Sequence, residues 1–404
     1  MGFYPKPHQT PFLNEKEQLH TVQLCEESLR LSSGAWTTQK LSTDGSAVIK
    51  NESFSNSKGI FIMNDYLLYL ANETKGYWWN DSANFADLVE AVTHGAVGVT
   101  TNPVLVNETI NKCADEWKPI LASIPRDLSG SEKAIEIIKA VTIKVAGMFE
   151  PIYKATNGEG GYVCAQVNPG KSSDRKAMLE MARTMSSWAP NVAVKLPVTA
   201  AGLDVLEDCI AEGITITGTV SFTYAQAMAI GDRCEKGRAR AAKAGVKPGR
   251  CFAVIMVGRI DDYLRDCIKD SGLNIAEEDI IQAGTAIIKR AYRDFAKNGY
   301  TAILMPAGLR GAYQVEALAG ANMAMSINPK IQVKLPSIKA PYVEHIEEEV
   351  DPAVIERLSA CPEFIKAYEP DGLKPEQFFS YGCVQKTLAQ FVENWGQIEK
   401  YPLK

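Results

Sequence analysis

The chain has 404 residues, enough for one large α/β domain with extensions or for two or three ordinary domains. Its 46% hydrophobic and 23% charged residues are typical of a globular protein and exclude a chain that is disordered by composition. With 43 basic and 48 acidic residues, the net charge of -5 offers no general attraction to nucleic acid or to an anionic membrane. Small neutral or anionic substrates remain open.

The N-terminal sequence and the cysteines and histidines bear on compartment and metal binding. Residues 1–18 show no apolar segment behind a positive end, and no apolar run approaches the roughly 18 residues of a membrane span. We therefore expect a cytoplasmic protein. The nine cysteines include no Cys-x-x-Cys pair and the four histidines no His-x-x-x-His pair, so we expect neither a disulfide framework nor a metal site.

Residues 1–76 do not follow the pattern of the remaining chain. Residues 15–31 have the apolar spacing of an amphipathic helix, and residues 41–59, rich in Ser, Asn and Gly, are typical of an extended connection. We interpret residues 1–76 as an N-terminal extension of unknown role.

Eight short runs rich in β-branched and aromatic residues follow and predict strands. They are GYWWND (76–81), GVTTNP (98–103), YVCAQV (162–167), VAVKLPV (192–198), TITGTVS (215–221), CFAVIMV (251–257), TAILMP (301–306) and MAMSIN (323–328). Helical patterns separate them. Residues 172–189 predict a helix with a serine N-cap, and residues 200–214 predict a helix that ends at Gly213.

Strand and helix alternating eight times within about 250 residues predict the α/β class and a (β/α)8 TIM barrel over residues 77–330. An open doubly wound sheet is the alternative. Residues 331–404 are predicted as a C-terminal helical segment packed on the barrel, and its aromatic-rich part, 375–401, either folds over the barrel or joins two subunits. A basic cluster at 233–250 lacks interleaved aromatic residues, which favours a solvated helix face over a nucleic-acid site.

Lys195 is the most informative residue of the fourth strand. Side chains alternate along a strand, so Val194 and Leu196 share the face that packs on helices, and Lys195 points into the barrel. Desolvation favours the neutral amine, which is a nucleophile able to form a Schiff base with a ketone or aldehyde. The alternative is a lysine at the strand mouth that extends to solvent.

Polar side chains collect near the carboxyl ends of other strands, where barrel active sites are built. Schiff-base chemistry requires such groups because protons move during addition, dehydration and bond cleavage. Asn102 as a turn residue and Thr219 as a barrel-filling residue are the structural alternatives. The residues near strand ends are Asp81, Asn102, Gln166, Lys195 and Thr219, and Thr100 and Ser221 share faces with Asn102 and Thr219.

Four stretches carry a family resemblance: GVTTNPVLV, VAVKLPVTAAGLDVLEDC, VGRIDDY and GLRGAYQVEALAGANMAMSINP. In this order, from about residue 77 to 330, the chain resembles the transaldolase and fructose-6-phosphate aldolase family. The resemblance implies a Schiff-base enzyme on an eightfold barrel that needs no metal or organic cofactor, acts on sugar phosphates and assembles as a homo-oligomer.

The resemblance also implies roles for single residues. Lys195 matches the Schiff-base lysine, Asp81 the aspartate that accepts the substrate's hydroxyl proton, and Asn102 the asparagine that holds the dihydroxyacetone hydroxyls. Gln166 and Thr219 match the pair that positions a catalytic water. Arg259 and Arg310 match the family's phosphate contacts, and Gly308 stands where a phosphate-binding serine is usual. The expected substrate site also includes Thr100, Ser221 and Met256. The glycine-rich 306–318 segment opening a helix independently suits phosphate.

Three departures from the family pattern bear on the reaction. Gln166 stands where transaldolases carry glutamate and the simple aldolases glutamine. Met256 stands at an aromatic position and Val254 replaces a serine, so the sixth-strand wall is more apolar. Less help in protonating the enamine favours transfer of a dihydroxyacetone unit between sugar phosphates. Reversible aldol cleavage is the alternative because of Gln166, and a non-catalytic sugar-phosphate-binding barrel is a further one.

Overall fold

The computed structural model describes residues 65–403, and all eight predicted strands form. They are β1 Tyr77–Asn80, β2 Gly98–Val99, β3 Tyr162–Gln166, β4 Val192–Pro197, β5 Ile216–Thr219, β6 Cys251–Ile255, β7 Ile303–Pro306 and β8 Ala324–Ile327. The strands pair in parallel in the order β7-β6-β5-β4-β3-β2-β1-β8. Because β8 also lies beside β7, the sheet is a nearly closed barrel, and the predicted (β/α)8 fold is confirmed.

Helices connect the strands and continue after the last one. The early helices are α1 Asp65–Asn72, α2 Phe85–Thr93, α3 Pro103–Lys112, α4 Ala114–Leu121, α5 Gly130–Ala155, α6 Arg175–Ser186, α7 Ala200–Ala211 and α8 Tyr224–Ala244. The later helices are α9 Val257–Ser271, α10 Glu277–Ile280, α11 Ala283–Asn298, α12 Ala312–Ala317, α13 Pro329–Gln332, α14 Pro352–Leu358, α15 Pro362–Tyr368, α16 Pro375–Phe378 and α17 Gly382–Glu399. Short 3-10 helices span Pro169–Lys171 and Leu335–Ser337.

Two predicted helices form, but only one of their predicted ends is correct. Helix α7 ends two residues before Gly213, which adopts a φ of 83° as expected for a glycine after a helix. Helix α6 also forms, but the predicted serine N-cap is wrong. Asp174 is the N-cap, and its carboxylate accepts a hydrogen bond from the backbone N–H of Ala177. Either residue type can cap a helix, so composition could not choose between them.

An aromatic layer fills the lower part of the barrel. The rings of Trp79 and Phe252 lie 4.7 Å apart, and those of Tyr162 and Phe252 lie 5.8 Å apart. A Cβ on Gly98 would lie 2.5 Å from the Trp79 indole, so glycine at that position makes room for the ring. These side chains fill the lower end of the barrel. Because strand side chains alternate, Asp81 and Thr100, two positions beyond Trp79 and Gly98, face the upper end.

Residues 233–244 of the basic cluster lie on α8, which faces acidic residues of α7. Arg233 contacts Asp204 at 2.8 Å and Glu207 at 2.9 Å, and Arg240 contacts Glu207 and Asp208 at 2.9 and 2.8 Å. The charges of Arg233 and Arg240 are therefore compensated within the protein. This supports the interpretation as a structural helix face.

Helix α17 forms within the aromatic-rich segment predicted to be helical. It contacts α3, α5 and the Pro169–Lys171 turn, so it packs over helices and loops of the barrel. Within the predicted N-terminal extension, residues 65–72 form α1, which contacts β1. The predicted elements at 15–31 and 41–59 lie outside the described residues. In the portion that is described, no helix combines the length and the apolar character needed to cross a membrane.

Candidate active site

A cavity of about 340 Å³ opens at the carboxyl ends of the strands. This is the end at which barrel enzymes place their active sites. Eight of the eleven residues predicted for the site line it: Asp81, Asn102, Lys195, Thr219, Met256, Arg259, Gly308 and Arg310. They come from six of the eight strands and the connections that follow them, so the closure of the barrel brings them together.

Lys195 lies on β4 with 5% of its surface exposed. Its Nζ donates a hydrogen bond to Thr101 O at 3.2 Å. Among residues 65–403 it has no ion-pair partner within 4.0 Å. The amine is therefore held in the cavity by a backbone carbonyl of the β2–α3 connection. This arrangement leaves it available for attack on a carbonyl.

Asp81 follows β1, and its carboxylate accepts a hydrogen bond from a neighbouring threonine. The Thr100 hydroxyl donates to Asp81 Oδ1 at 2.6 Å, and Thr100 Oγ1 lies 2.6 Å from Ser326 Oγ. Ser326 on β8 was not predicted from the sequence, although the register of β8 with β1 places it opposite Trp79. These hydroxyls orient the carboxylate, which remains on the cavity wall.

Gln166 and Thr219 lie on the strands that flank β4. Gln166 pairs in register with Lys195, and Thr219 pairs with Pro197 two residues further along β4. Both side chains are buried, yet Gln166 Oε1, Gln166 Nε2 and Thr219 Oγ1 have no hydrogen-bond partner among the described residues. Buried polar atoms are normally satisfied, so these three atoms mark a place that suits a water or a substrate hydroxyl.

Asn102 both caps a helix and lines the cavity. Its Oδ1 accepts hydrogen bonds from the backbone N–H groups of Val104 and Leu105 and caps α3, at 2.9 and 3.1 Å. This cap leaves its Nδ2 as the donor for a ligand in the cavity that Asn102 lines. Asn328 plays a similar part after β8, where it caps α13 and donates to Asp81 O at 3.0 Å.

The other eight predicted residues form the cavity wall, which does not include Ser221, Thr100 or Gln166. The fully buried Ser221 hydroxyl donates to Val254 O at 2.5 Å and joins the segments after β5 and within β6, and its place in the substrate site stays a prediction. Met256 does line the cavity, directly above that junction. The sixth-strand wall is accordingly apolar, as its sequence indicates.

Arg259 and Arg310 stand together at one end of the cavity. Burial, and secondarily the neighbouring Arg310, lowers the pKa of the Arg259 guanidinium. Arg310 donates from Nε to Asp262 Oδ2 at 2.8 Å and from Nη1 to Gly308 O at 2.8 Å. Gly308 has a φ of 62°, a left-handed conformation that favours glycine over the serine usual in the family. Two guanidinium groups at one end suit a phosphate.

A buried carboxyl shapes the loop that carries Arg310. Asp261, fully buried, accepts hydrogen bonds from Gly284 N at 2.8 Å and Gln314 Nε2 at 2.7 Å. Gln314 Oε1 in turn accepts from Arg310 N at 2.7 Å. Desolvation raises the pKa of Asp261 well above its ordinary value. Asp261 therefore acts through the loop and not on a ligand.

Lys330 and Lys334 also line the cavity and were missed from the sequence. Lys334 Nζ lies 3.5 Å from Arg310 O, so it adds a cation to the arginine end. Their signal was available, since both follow β8 in the connection where barrels often bind phosphate. No group of three or more potential metal-ligating side chains occurs within residues 65–403.

The fold and the site define a (β/α)8 barrel with a buried lysine and a carboxylate in one cavity and a pair of arginines at the cavity's end. A family model described as Transaldolase/Fructose-6-phosphate aldolase matches residues 78–400, and the chain belongs to this family.

Curated relatives that the chain resembles include proteins named transaldolase. It is 26% identical to Transaldolase 2 and 28% identical to Transaldolase 1 of Streptomyces avermitilis, over 58% and 59% of this chain and 65% and 66% of those proteins. It is 29% identical to the Transaldolase of Thermobifida fusca over 45% of this chain and 50% of that protein. The chain spans just under two thirds of the length of the first two relatives and half of the third.

Proposed function

We propose that this chain is a transaldolase-type enzyme that transfers a dihydroxyacetone unit between sugar phosphates through a Schiff base on Lys195. The observation that carries the proposal is the placement of a buried amine, free of an ion pair among the described residues, in one cavity with Asp81 and two arginines. Family membership and relatives named transaldolase support it.

The proposed reaction starts with attack of the Lys195 amine on the ketose carbonyl, followed by loss of water. Gln166 and Thr219 hold the water through which protons move, which gives a role to their unpartnered buried atoms. The cationic imine nitrogen then draws electrons from the neighbouring carbon bond. Asp81 accepts the proton of the substrate hydroxyl as that bond breaks, and an aldose phosphate leaves.

The bound three-carbon enamine then meets the acceptor. Asn102 Nδ2 holds its hydroxyls, while Arg259 and Arg310 bind the phosphate first of the donor and then of the acceptor. The new carbon bond forms by the reverse of the cleavage, with Asp81 returning the proton. Hydrolysis of the Schiff base frees Lys195.

Reversible aldol cleavage is the second candidate because of Gln166, which resembles the glutamine of the simple aldolases. In that reaction water supplies a proton to the enamine before an acceptor arrives. The apolar side chain of Met256 on the cavity wall offers no hydrogen bond to such a water, which favours transfer.

Borohydride reduction with fructose 6-phosphate, followed by peptide mass mapping, tests the Schiff base. We expect a substrate-derived adduct on the peptide containing Lys195 and none in Lys195→Met. The peptide with Lys289 is an internal control, because that lysine is also buried but is bonded to backbone carbonyls outside the cavity. An unmodified Lys195 peptide with every ketose tried would favour a non-catalytic binding barrel.

The need for an acceptor separates transfer from cleavage. With fructose 6-phosphate as donor, we expect glyceraldehyde 3-phosphate to be released in multiple turnovers after erythrose 4-phosphate is added. A coupled dehydrogenase assay measures this release. Sustained release without any acceptor would assign the chain to reversible aldol cleavage.

The proposal also includes a cytoplasmic location and a homo-oligomer. Ile365, Phe379 and Val392, which are exposed apolar side chains of the C-terminal region, offer surface for a second copy. Multi-angle light scattering measures the mass in solution. A mass of a single 44.2 kDa chain at all concentrations would contradict the oligomer.

A further inference from the structure

The C-terminal helix α17 reaches the arginine end of the cavity. Arg259 Nη1 donates a hydrogen bond to Gln390 Oε1 at 2.7 Å, and the guanidinium carbon lies 5.6 Å from the centre of the Phe391 ring. Consecutive residues of α17 thus contact the polar edge and the face of one guanidinium. A planar group held in both ways keeps a defined direction.

The two arginines differ in how their charge is compensated. Arg310 forms an ion pair with Asp262, with Nη2 2.7 Å from Oδ2. Arg259 has no carboxylate within 4.0 Å among the described residues, and its close side-chain acceptor is the neutral amide of Gln390. A neutral acceptor orients the guanidinium and leaves its positive charge for an anion.

The position of α17 does not depend on Gln390. Near the start of the helix Lys386 forms an ion pair with Asp266, and near its end Asn394 accepts a hydrogen bond from Asn107 Nδ2 at 3.1 Å. Gln390 is exposed and lies between these contacts. Its substitution should therefore change the surroundings of Arg259 without displacing the helix.

We propose that Gln390 is a positioning residue that directs Arg259 toward the substrate phosphate while leaving its charge uncompensated. Through it, α17 sets the preference of the site for phosphorylated over unphosphorylated sugars. This inference rests on the proposed function, since it assigns Arg259 to the phosphate of the same substrate. A glutamate at position 390 would occupy the same place and convert the contact into an ion pair.

Binding of glucitol 6-phosphate tests the inference, because this sugar phosphate has no carbonyl and cannot form a Schiff base. Isothermal titration calorimetry compares the unaltered chain with Gln390→Glu, Gln390→Met and Gln385→Glu. Gln385 is the matched control, being an exposed glutamine on α17 that bonds Phe379 O and not Arg259. We expect Kd to rise about tenfold in Gln390→Glu, less in Gln390→Met, and little in Gln385→Glu.

A kinetic arm separates positioning from general damage. In Gln390→Glu we expect KM for fructose 6-phosphate to rise with kcat nearly unchanged, and the concentration of dihydroxyacetone that gives half-maximal Lys195 adduct to stay constant. Equal Kd in Gln390→Glu and the unaltered chain, or an equal loss in Gln385→Glu, would overturn the inference. Failure to trap an adduct in the unaltered chain contradicts the proposed function instead, because the calorimetric comparison requires no Schiff base.

Discussion

Thr100 directs its hydroxyl proton to Asp81 Oδ1 at 2.6 Å, and so it joins the carboxylate after β1 to the end of β2. A threonine hydroxyl has one proton, so the 2.6 Å contact with Ser326 is donated by Ser326. The two hydroxyls form a chain that ends on the carboxylate, and each donation strengthens the next. Asp81 is thereby oriented by β2 and β8 together.

Variants that lose the Thr100 or the Ser326 hydroxyl should have a lower kcat, with a smaller effect on substrate binding. We expect Thr100→Val to lower kcat about tenfold, because the carboxylate loses a charge-assisted hydrogen bond that orients it. Ser326→Ala should lower kcat less, because it removes only the donor to Thr100 and leaves the bond from Thr100 to Asp81 in place. Ser326→Thr should restore most of the activity. Steady-state kinetics with separate kcat and KM provide the measurement.

Thr217→Val is the matched control for those variants. Thr217 is a fully buried threonine of the same barrel, but its hydroxyl contacts Cys164 Sγ at 3.5 Å and not Asp81. Its kcat should stay within about twofold of the unaltered chain, since the hydrogen bonds of Asp81 are intact. An equal loss in all three variants would show that barrel packing, not orientation of Asp81, is responsible.

Lys195→Met should remove activity without unfolding the protein. The loss should be on the order of a thousandfold or more if the amine forms the covalent intermediate. The free energy of unfolding should change by no more than about 1 kcal/mol, because Lys195 Nζ makes a single hydrogen bond, to Thr101 O at 3.2 Å. Activity assays and urea unfolding measure the two effects, and substantial remaining activity would exclude Lys195 as nucleophile.

Lys289→Met should lower the stability of the protein and leave its activity intact. Lys289 Nζ donates to His345 O at 2.7 Å and to Glu348 O at 2.6 Å, and it ties α11 to the segment before α14. Removing both bonds should cost about 2 kcal/mol of unfolding free energy, because two carbonyls lose their donor. Activity should be retained in the folded fraction. Loss of activity in a fully folded variant would contradict the assignment of Lys289 to structure.

The conformation of Gly308 gives a prediction on stability. Gly308→Ala should lower the free energy of unfolding by about 1 to 2 kcal/mol, because a φ of 62° is strained for any residue with a Cβ. The added Cβ would meet nothing closer than Arg259 Cγ at 3.6 Å, so the cost is conformational and not steric. Urea unfolding provides the value.

Gly147→Ala is the contrasting variant. Gly147 lies inside α5, and an added Cβ would meet nothing within 4 Å. We expect stability to rise by about 0.5 to 1 kcal/mol, since alanine has the higher helix propensity. A loss of stability in Gly147→Ala would contradict the helical assignment, whereas an unchanged Gly308→Ala would contradict the left-handed turn.

The Asp279–Arg357 pair predicts a pH dependence. Arg357 donates from Nε and Nη2 to the two oxygens of Asp279 at 2.7 and 2.8 Å, and these hydrogen bonds lower the pKa of Asp279 from its ordinary 3.8. A carboxylate with a lowered folded-state pKa stabilises the protein above its unfolded-state pKa, and the contribution is lost as pH falls through the lowered value. Arg357→Gln should therefore reduce Tm at neutral pH.

The same difference in Tm should shrink as the pH is taken below 3.8, where Asp279 becomes protonated in the unfolded chain and then in the folded one. Thermal unfolding by circular dichroism over this range measures it. A Tm difference that is constant with pH would show that Arg357 acts through packing and not through its charge.

The strands were predictable because a parallel barrel buries both faces of each strand. Runs such as VAVKLPV then stand out as nearly continuous apolar segments interrupted by one charged residue, and that residue is Lys195. The period of two along each strand also predicted which residues face inward, and Asp81, Asn102, Thr219 and Lys195 do share one cavity. The cap of α6 was predicted incorrectly, since Ser and Asp give the same local signal.

The distances among these groups depended on the closure of the barrel. Ser326 and Thr100 are 226 positions apart in the chain, and only the pairing of β8 with β1 makes them neighbours. Likewise the contact of Gln390 with Arg259 depends on where α17 packs, which its own amphipathic pattern does not specify. Ser221 was expected in the site because it shares a strand face with Thr219. Only the structure shows that β6 supplies a backbone acceptor for its hydroxyl.

The sequence by itself determined the strands, their inward faces and the chemical types of the site residues, because side-chain period and burial are local properties of each segment. The tertiary structure decided which hydroxyl orients Asp81, which arginine keeps its charge uncompensated and which buried polar atoms remain without a partner. Those properties arise from contacts between segments distant in the chain, and their geometry exists only once the barrel has closed and α17 has packed on it.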